Sequence, residues 1–242
     1  MIPAMTELTL FGPREAHLHV LRLDDFAGHS EEALLERYGG LLSEEERERQ
    51  ARPSLQGRRR EILLTRMLVR TRLSLYAEID PKEWRFGVGE RGRPFIADPV
   101  PPCFLDFNLT HTTGMILCLV APVAGIGVDV EYLPRRNDTA AIASHFFAPQ
   151  EQAGLGDRFF TYWTLKEAYI KARGKGLALP LDGFWFDLDG DEPAISFDDR
   201  IDDDPALWRF DSLELSADHL CSVALPIGPG VRPSIRLFET RI

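Results

Sequence analysis

Apolar and polar residues follow one another in short alternating runs that predict strands, interrupted by a few longer stretches with helical spacing. Residues 17–23 alternate and predict a first strand. Ser43 is followed three residues later by Glu46, a capping-box pattern that predicts a charged helix ending near Ala51. Apolar residues at helical spacing over residues 55–76 then predict a long amphipathic helix.

The rest of the chain predicts short strands around three further helices. The helices are expected at residues 138–145, from residue 149 onward, and at residues 159–173. The strands are expected at residues 84–88, 104–110, 115–120, 125–131, 184–188, 194–197, 208–210, 220–225 and 235–237. A strand, long helix and strands are thus followed by a strand, helices and strands. This order predicts an α+β fold of two similar α/β subdomains, residues 1–121 and 122–242.

Composition narrows the class of protein. The formal net charge of -10 argues against a general nucleic-acid binder, which needs a positive surface. Arginines are nevertheless concentrated between residues 43 and 74, where they can attract an anionic ligand locally. No apolar run of about 18 residues predicts a membrane span, and no signal-peptide pattern opens the chain. Three cysteines without metal-ligand spacing are expected to be buried thiols of a cytoplasmic protein: Cys103, Cys118 and Cys221.

Two acids in the segment 127–131, Gly-Val-Asp-Val-Glu, are the first candidates for a metal site. Residues two apart on a strand point to the same face, so Asp129 and Glu131 can both reach one ion. A small number of hard oxygen ligands suits Mg²⁺, whose shell is completed by water and substrate phosphates. The alternative is a solvated strand end with no metal.

The helix expected at residues 159–173 carries an acid among cations. Trp163, Glu167 and Lys171 are spaced four apart and share one face. A carboxylate beside an ammonium suits a metal-bound polyphosphate, whereas an exposed salt-bridged surface is the alternative. The Gly-Lys-Gly sequence at 174–176 is either a helix C-cap or a phosphate-cradling loop.

For each of the other basic candidates, the sequence allows a structural role or a ligand-binding role. His111 after a strand is either a hydrogen-bonded structural residue or a phosphate ligand assisted by Thr110. Arg93 in the Gly-Arg-Pro turn is either a surface charge or a nucleotide contact. The arginines at 47–60 form either a solvated helix face or a site for a phosphate monoester. Walker A, Rossmann and Gly-x-Ser-x-Gly patterns are absent from the sequence.

In their order and spacing, five motifs resemble those of the 4'-phosphopantetheinyl transferases, and the long single-chain, Sfp-type branch matches best. The resemblance covers roughly residues 43–187. The motifs are Gly92-Arg93-Pro94, Asn108-Leu109-Thr110-His111, Gly127-Val128-Asp129-Val130-Glu131, Phe147-Ala148-Pro149-Gln150-Glu151, and the helix segment with Trp163, Lys166, Glu167, Ala168, Lys171, Gly174, Lys175 and Gly176.

The resemblance implies an activity and its partners. Enzymes of this family transfer phosphopantetheine from coenzyme A to a serine of an apo carrier protein, releasing adenosine 3',5'-bisphosphate. The carrier would serve fatty acid, polyketide or nonribosomal peptide synthesis. The fold would have pseudo-twofold symmetry with coenzyme A between the halves, and a monomer would suffice because one chain holds both halves.

The resemblance also implies roles for residues in the second half. Asp129, Glu131 and Glu167 would bind Mg²⁺ on the pyrophosphate, and Asp129, Glu167 and Lys171 would be the catalytic set. Lys171 would hold phosphate oxygens. Glu167 is the favoured base for the carrier serine, directly or through water, and Glu151 is a second candidate.

Coenzyme A contacts are implied at seven positions: Arg49, Arg60, Arg93, Thr110, His111, Lys166 and Lys171. Arg93 would lie near the adenine, and Arg49 and Arg60 near the 3'-phosphate. This chain departs from the family where Thr110 replaces a usual serine and Arg93 a frequent lysine. Arg49 stands where a lysine is expected, and Glu46 occupies a position that is basic in some members.

Two other functions share parts of this pattern. A Mg²⁺-dependent nucleotide pyrophosphohydrolase would use the same acids without a carrier protein. A non-catalytic coenzyme A or carrier-binding module would need neither the acids nor any turnover.

Overall fold

The computed structural model describes residues 9–12, 14–134, 138–228, 230 and 234–240, which form an α+β fold. The strands are β1 (Glu15–Arg22), β2 (Arg85–Val88), β3 (Pro94–Asp98), β4 (Asp106–Thr112), β5 (Met115–Ala121), β6 (Gly127–Tyr132), β7 (Phe184–Asp187), β8 (Ala194–Phe197), β9 (Arg209–Ser216), β10 (His219–Leu225) and β11 (Ser234–Glu239). The α-helices are α1 (Glu31–Tyr38), α2 (Glu44–Ala51), α3 (Arg59–Leu73), α4 (Thr139–Phe146), α5 (Pro149–Ala153) and α6 (Phe159–Arg173).

Local sequence signals explain several of the helix boundaries. The capping box predicted before α2 is present, since Ser43 N donates to Glu46 Oε2 at 2.9 Å and Glu46 N to Ser43 Oγ at 3.2 Å. Helix α6 has the predicted bounds and ends at Gly174, whose φ of 61° is readily adopted by glycine. Helix α3 starts later than predicted, because Pro53–Arg58 forms a 3-10 helix.

Among the described α-helices and strands, α1 and β3 were not predicted. The N-cap of α1 is Ser30, whose Oγ accepts from Ala33 N at 3.2 Å. This helix is mostly polar, so its few apolar positions give a weak periodic signal. Strand β3 begins directly at Pro94 and forms a two-stranded pair with β2.

The strands form two main sheets and two hairpins. The first sheet has the order β11-β1-β5-β4 and the second the order β6-β10-β9, while β2-β3 and β7-β8 are separate pairs. The predicted subdomain boundary at residues 121 and 122 falls in the turn between β5 and β6. Strand β11 nevertheless pairs parallel with β1, from Glu15 opposite Ser234 onward, so the first sheet is completed by the C-terminal strand.

Alternating side chains place the sheets face to face between helices. On β1, Leu21 faces a core with α3, whereas Leu18 and Val20 face a second core shared with the β6-β10-β9 sheet. Helix α6 packs through a third core on the other side of that sheet. The layers therefore run α3, first sheet, second sheet, α6. Pseudo-twofold symmetry between these layers stays a prediction.

Helix α6 and strand β6 approach each other to backbone contact at Gly127. A Cβ at this position would lie 1.9 Å from the Ala168 carbonyl oxygen and 2.7 Å from Ala172 N. Only glycine permits this approach. Because Asp129 and Glu131 follow on the same face of β6, both are directed toward α6.

A buried polar cluster joins β1 to the end of α3. His17 Nδ1 and His19 Nε2 hydrogen-bond to the Tyr76 hydroxyl at 2.8 and 2.7 Å, and both rings contact Phe238 on β11. Burial, with a smaller contribution from Arg72, lowers the pKa of His19 to about 3. Burial also lowers the pKa of His17. The cluster is therefore folded with neutral imidazoles.

Of the three cysteines, Cys118 and Cys221 are buried as predicted, but Cys103 is exposed, so the prediction for Cys103 was wrong. It lies in an irregular segment before β4, outside the sheets. In the part of the chain that the structure describes, no helix has the length and apolar character needed to cross a bilayer.

We expect Gly127→Ala to lower the free energy of unfolding by about 3 kcal/mol, because a methyl group cannot fit against Ala168 without separating α6 from β6. Urea denaturation measures this loss. Gly40→Ala is the matched control, since nothing lies within 4 Å of a Cβ there. Equal stability of the two variants would contradict the close approach.

We expect His19→Gln to make the protein less sensitive to acid. A lowered folded-state pKa gives stability that is present above the ordinary value of 6.5 and is lost as pH falls toward about 3. One such histidine contributes a slope of up to about 1.4 kcal/mol per pH unit. Urea denaturation at pH 4 to 7 should show a shallower slope for the variant. The exposed His145→Gln should keep the wild-type slope, and parallel curves for His19→Gln would contradict the assignment.

Candidate active site

A pocket of about 540 Å³ lies where the end of β4, the strand β6, and the helices α3 and α6 meet. Five residues predicted from the sequence line it: Thr110, His111, Asp129, Glu131 and Lys171. Glu61 from the start of α3 lines it as well. The two predicted halves therefore both contribute to one cavity, which contains acids, an ammonium and an imidazole.

Lys171 connects the two sheets at the wall of this pocket. Its Nζ donates to Asp129 Oδ1 at 2.6 Å, to Thr110 Oγ1 at 3.1 Å and to the Val128 carbonyl at 3.1 Å. The side chain remains 27% exposed. The ammonium is thus held at a defined point and still borders the open pocket.

Glu167 lies in an environment crowded with negative charge. Burial raises the pKa of its carboxyl group, the charges of Asp129 and Glu131 raise it further, and Lys171 opposes this effect. The crowding shows that α6 brings a third acid to the pair on β6. Three acids that disfavour one another's charge are suited to a divalent cation, which removes the repulsion.

Asp129 supplies a second indication of cation binding. Its Oδ2 is buried and has no hydrogen-bond partner among the described residues, while Oδ1 is held by Lys171. An unpaired buried carboxylate oxygen is costly unless a ligand binds it. Within the described residues, no three His, Cys, Asp or Glu side chains already converge on a metal geometry. The donor chemistry fits Mg²⁺, and the side chains would have to close on it.

Glu131 is oriented by Trp163, which lies on the same face of α6 as Lys171 but nearer the N-terminal end of the helix. Trp163 Nε1 donates to Glu131 Oε1 at 3.1 Å, and the indole stacks on Phe159 with centroids 6.0 Å apart. Trp163 and Lys171 are eight residues apart on α6 and contact the two acids of β6. The face predicted from their four-residue spacing is the one that packs on the strand.

His111 has a partner that sequence reasoning did not identify. Its Nε2 lies 3.1 Å from Glu61 Oε1, and Glu61 also accepts from Arg58 at 3.5 Å. Glu61 stands in an arginine-rich stretch, where an acid is most simply explained by local ion pairs. Only the packing of α3 on the first sheet brings it to the pocket.

Lys166 and Glu151 form a buried ion pair outside the pocket. Lys166 Nζ lies 2.8 Å from Glu151 Oε2, both side chains are 0% exposed, and the ammonium also donates to the carbonyls of Leu181 and Phe184. The contact predicted between Lys166 and coenzyme A stays a prediction, and complete burial of the side chain in the core argues against it. Glu151 as the alternative base likewise stays a prediction, and its burial against Lys166 argues against that role.

The remaining predicted arginines lie apart from the pocket wall. Arg60 donates to the carbonyls of Phe26 and His29, and Arg49 is exposed on α2. Arg93 is bound to Asp106 and to the carbonyls of Ile126 and Lys171. The roles predicted for Arg49 and Arg60 at a 3'-phosphate stay predictions.

Comparison with known proteins identifies the family of the chain. Residues 125–224 match the model of the 4'-phosphopantetheinyl transferase superfamily. The 4'-phosphopantetheinyl transferase HetI of Nostoc sp. is 34% identical over 241 residues, covering 96% of this chain and 95% of the relative. A phosphopantetheinyl transferase of Thraustochytrium sp. is 31% identical over 88% of this chain and 79% of its own length. The 4'-phosphopantetheinyl transferase Sfp of Bacillus subtilis is 33% identical over 62% and 67%. The extent of these matches shows that the chain belongs to the 4'-phosphopantetheinyl transferase superfamily.

Proposed function

We propose that this protein transfers the 4'-phosphopantetheine group of coenzyme A to a serine hydroxyl of an apo carrier protein and releases adenosine 3',5'-bisphosphate. The names of the full-length relatives support the reaction class. The observation that supports the assignment to this pocket is that Asp129, Glu131 and Lys171 line it together. Glu167 is not among the lining residues, but it lies on α6 close enough to Asp129, Lys171 and Glu131 for their charges to shift its pKa. Described residues of both predicted halves line the pocket, so we propose a monomer as the active form.

Asp129, Glu131 and Glu167 are the residues that would hold Mg²⁺. The unpaired Asp129 Oδ2 and the raised pKa of Glu167 support this set. When bound, the ion would supply positive charge to the pyrophosphate oxygens. Trp163 keeps Glu131 turned toward the site through its indole N–H.

Lys171 and His111 would hold phosphate oxygens of coenzyme A. Lys171 borders the pocket with its ammonium and provides a positive charge that is fixed before the ligand arrives. Thr110 Oγ1 accepts from that ammonium and supports its orientation. Phosphoryl transfer depends mainly on positioning and on charge stabilisation, which is what such fixed donors provide.

Glu167 is proposed as the base for the attacking serine. The serine oxygen forms a bond to the β-phosphorus, the bond from that phosphorus to the adenosine bisphosphate oxygen breaks, and the serine proton passes to Glu167, directly or through water. Glu167 is supported as the base by its place on α6 beside Asp129 and Lys171, whose charges act on its carboxyl group. Burial of Glu151 against Lys166 leaves Glu167 as the better placed of the two acids.

We expect the purified protein with Mg²⁺ and coenzyme A to add one phosphopantetheine group to an apo carrier protein. The pocket combines acids that can bind a cation with fixed hydrogen-bond donors for phosphate oxygens. Mass spectrometry of the carrier measures the addition, and EDTA should abolish it. Cleavage of coenzyme A with an unmodified carrier would instead indicate a pyrophosphohydrolase. Neither cleavage nor modification across several carrier types would overturn the proposal.

We expect Glu167→Gln to lower kcat by at least about 10²-fold, because both a cation ligand and the base are removed. Steady-state transfer kinetics measure the loss. The exposed Glu36→Gln on α1 is the matched control and should leave kcat unchanged. Full activity of Glu167→Gln would contradict the assignment.

A stability measurement separates this effect from unfolding. The raised pKa of Glu167 means that its contribution to stability is present below pH 4.5 and is lost as pH rises through the folded-state value. At pH 8 in EDTA, Glu167→Gln should therefore be at least as stable as the wild type. A less stable variant would show that the carboxylate has a structural role.

A further inference from the structure

We propose that Arg93 is a positioning residue that holds the C-terminal end of α6, and with it Lys171, against the start of β6. This inference rests on the proposed function, since it assigns Arg93 to the placement of the phosphate-binding ammonium. It replaces the sequence-based expectation that Arg93 lies near the adenine of coenzyme A.

The guanidinium of Arg93 contacts three different segments. Nη1 donates to the Ile126 carbonyl at 2.8 Å and to the Lys171 carbonyl, and Nη2 donates to Asp106 Oδ2 at 2.8 Å. The side chains of Arg93 and Asp106 are only 19% and 15% exposed. One side chain from the β2–β3 turn thus connects β4, the segment before β6, and the last turn of α6.

Asp106 is itself held by the backbone around it. Its Oδ2 accepts from Gly125 N at 2.8 Å, and its Oδ1 accepts from Phe107 N at 2.8 Å. The carboxylate is therefore a fixed acceptor and not a mobile counter-ion. Together, Arg93 and Asp106 form a bracket across the turn between β5 and β6.

The bracket acts on the residue that carries the phosphate-binding ammonium. The Lys171 carbonyl accepts from Arg93, while the Lys171 side chain reaches forward to Asp129 and Thr110. At Gly127 the backbones of α6 and β6 already touch, so their separation is set. Arg93 adds the constraint along the helix axis, which a contact at one glycine does not provide.

Both terminal nitrogens of Arg93 already donate to acceptors of the protein. Arg93 is not among the described residues that line the pocket. If its guanidinium turned to a nucleotide, Asp106 would lose its ion pair in a largely buried setting, at a substantial cost. Lysine could not replace it, because one ammonium on a flexible stem cannot match the planar fork that reaches separate acceptors.

Arg93→Lys tests this role while keeping the charge. We expect kcat for phosphopantetheine transfer to fall by about 10-fold or more, since a displacement of about 1 Å in a reacting group costs up to 10²-fold. The Kd for adenosine 3',5'-bisphosphate, measured by calorimetry, should stay within about twofold of the wild type, because the nucleotide is not contacted. Arg91→Lys in the same turn is exposed and is the matched control, with both values unchanged.

The opposite pattern would overturn the inference. A weakened Kd for adenosine 3',5'-bisphosphate with unchanged kcat would make Arg93 a nucleotide contact. Unchanged kcat and unchanged Kd would show that the bracket does not influence the site.

Amide hydrogen exchange tests the bracket without any turnover. The Gly174 amide donates to the carbonyls of Ile170 and Lys171 at the end of α6. In Arg93→Lys, exchange at residues 170–174 should become faster, while α3 should keep its wild-type protection. Unchanged exchange in the last turn of α6 would overturn the bracket. A wild-type protein that transfers nothing would refute the proposed function, whereas faster exchange would still support the bracket.

Discussion

The backbone contact between α6 and β6 at Gly127 is the constraint on which the rest of the site depends. A glycine at this position lets the Ala168 carbonyl lie where a side chain would otherwise stand. Both elements carry acids, and the close approach brings those acids together despite their mutual repulsion. Burial, followed by the charges of Asp129 and Glu131, raises the pKa of Glu167. Packing of the apolar positions of α6 in the core stabilises an arrangement that the charges alone would disfavour.

Two lysines on α6 show how helix geometry separates structural from functional charge. Lys166 and Lys171 are five residues apart, which rotates their side chains by about 140° around the axis of an α-helix. Lys166 consequently enters the core and pairs with Glu151, with 0% exposure of both side chains. Lys171 instead reaches the pocket and stays partly exposed. A buried lysine needs the carboxylate and carbonyls that surround Lys166, and those contacts remove it from ligand chemistry.

Much of the fold was accessible from local patterns, and the predicted and observed bounds of α6 coincide. The capping box before α2 needs only residues three apart, so its sequence signature is specific. The acid pair of β6 was identified because a two-residue spacing on a strand has one geometric outcome. By contrast, α1 was not predicted because it carries few apolar positions and so has a weak periodic pattern. The exposure of Cys103 was not predicted either, because this residue lies in an irregular segment without a periodic pattern.

The sequence by itself determined the α+β class, the approximate positions of most strands and helices, and the placement of Asp129 and Glu131 on one strand face, because these properties depend on neighbours along the chain. The tertiary structure alone decided that β11 completes the first sheet, that Glu61 meets His111, and that Arg93 is bound to Asp106 and two carbonyls. It also decided that Lys166 is a core residue. These contacts join residues far apart in the chain, and their side-chain types permit several partners, so only the packed layers select one.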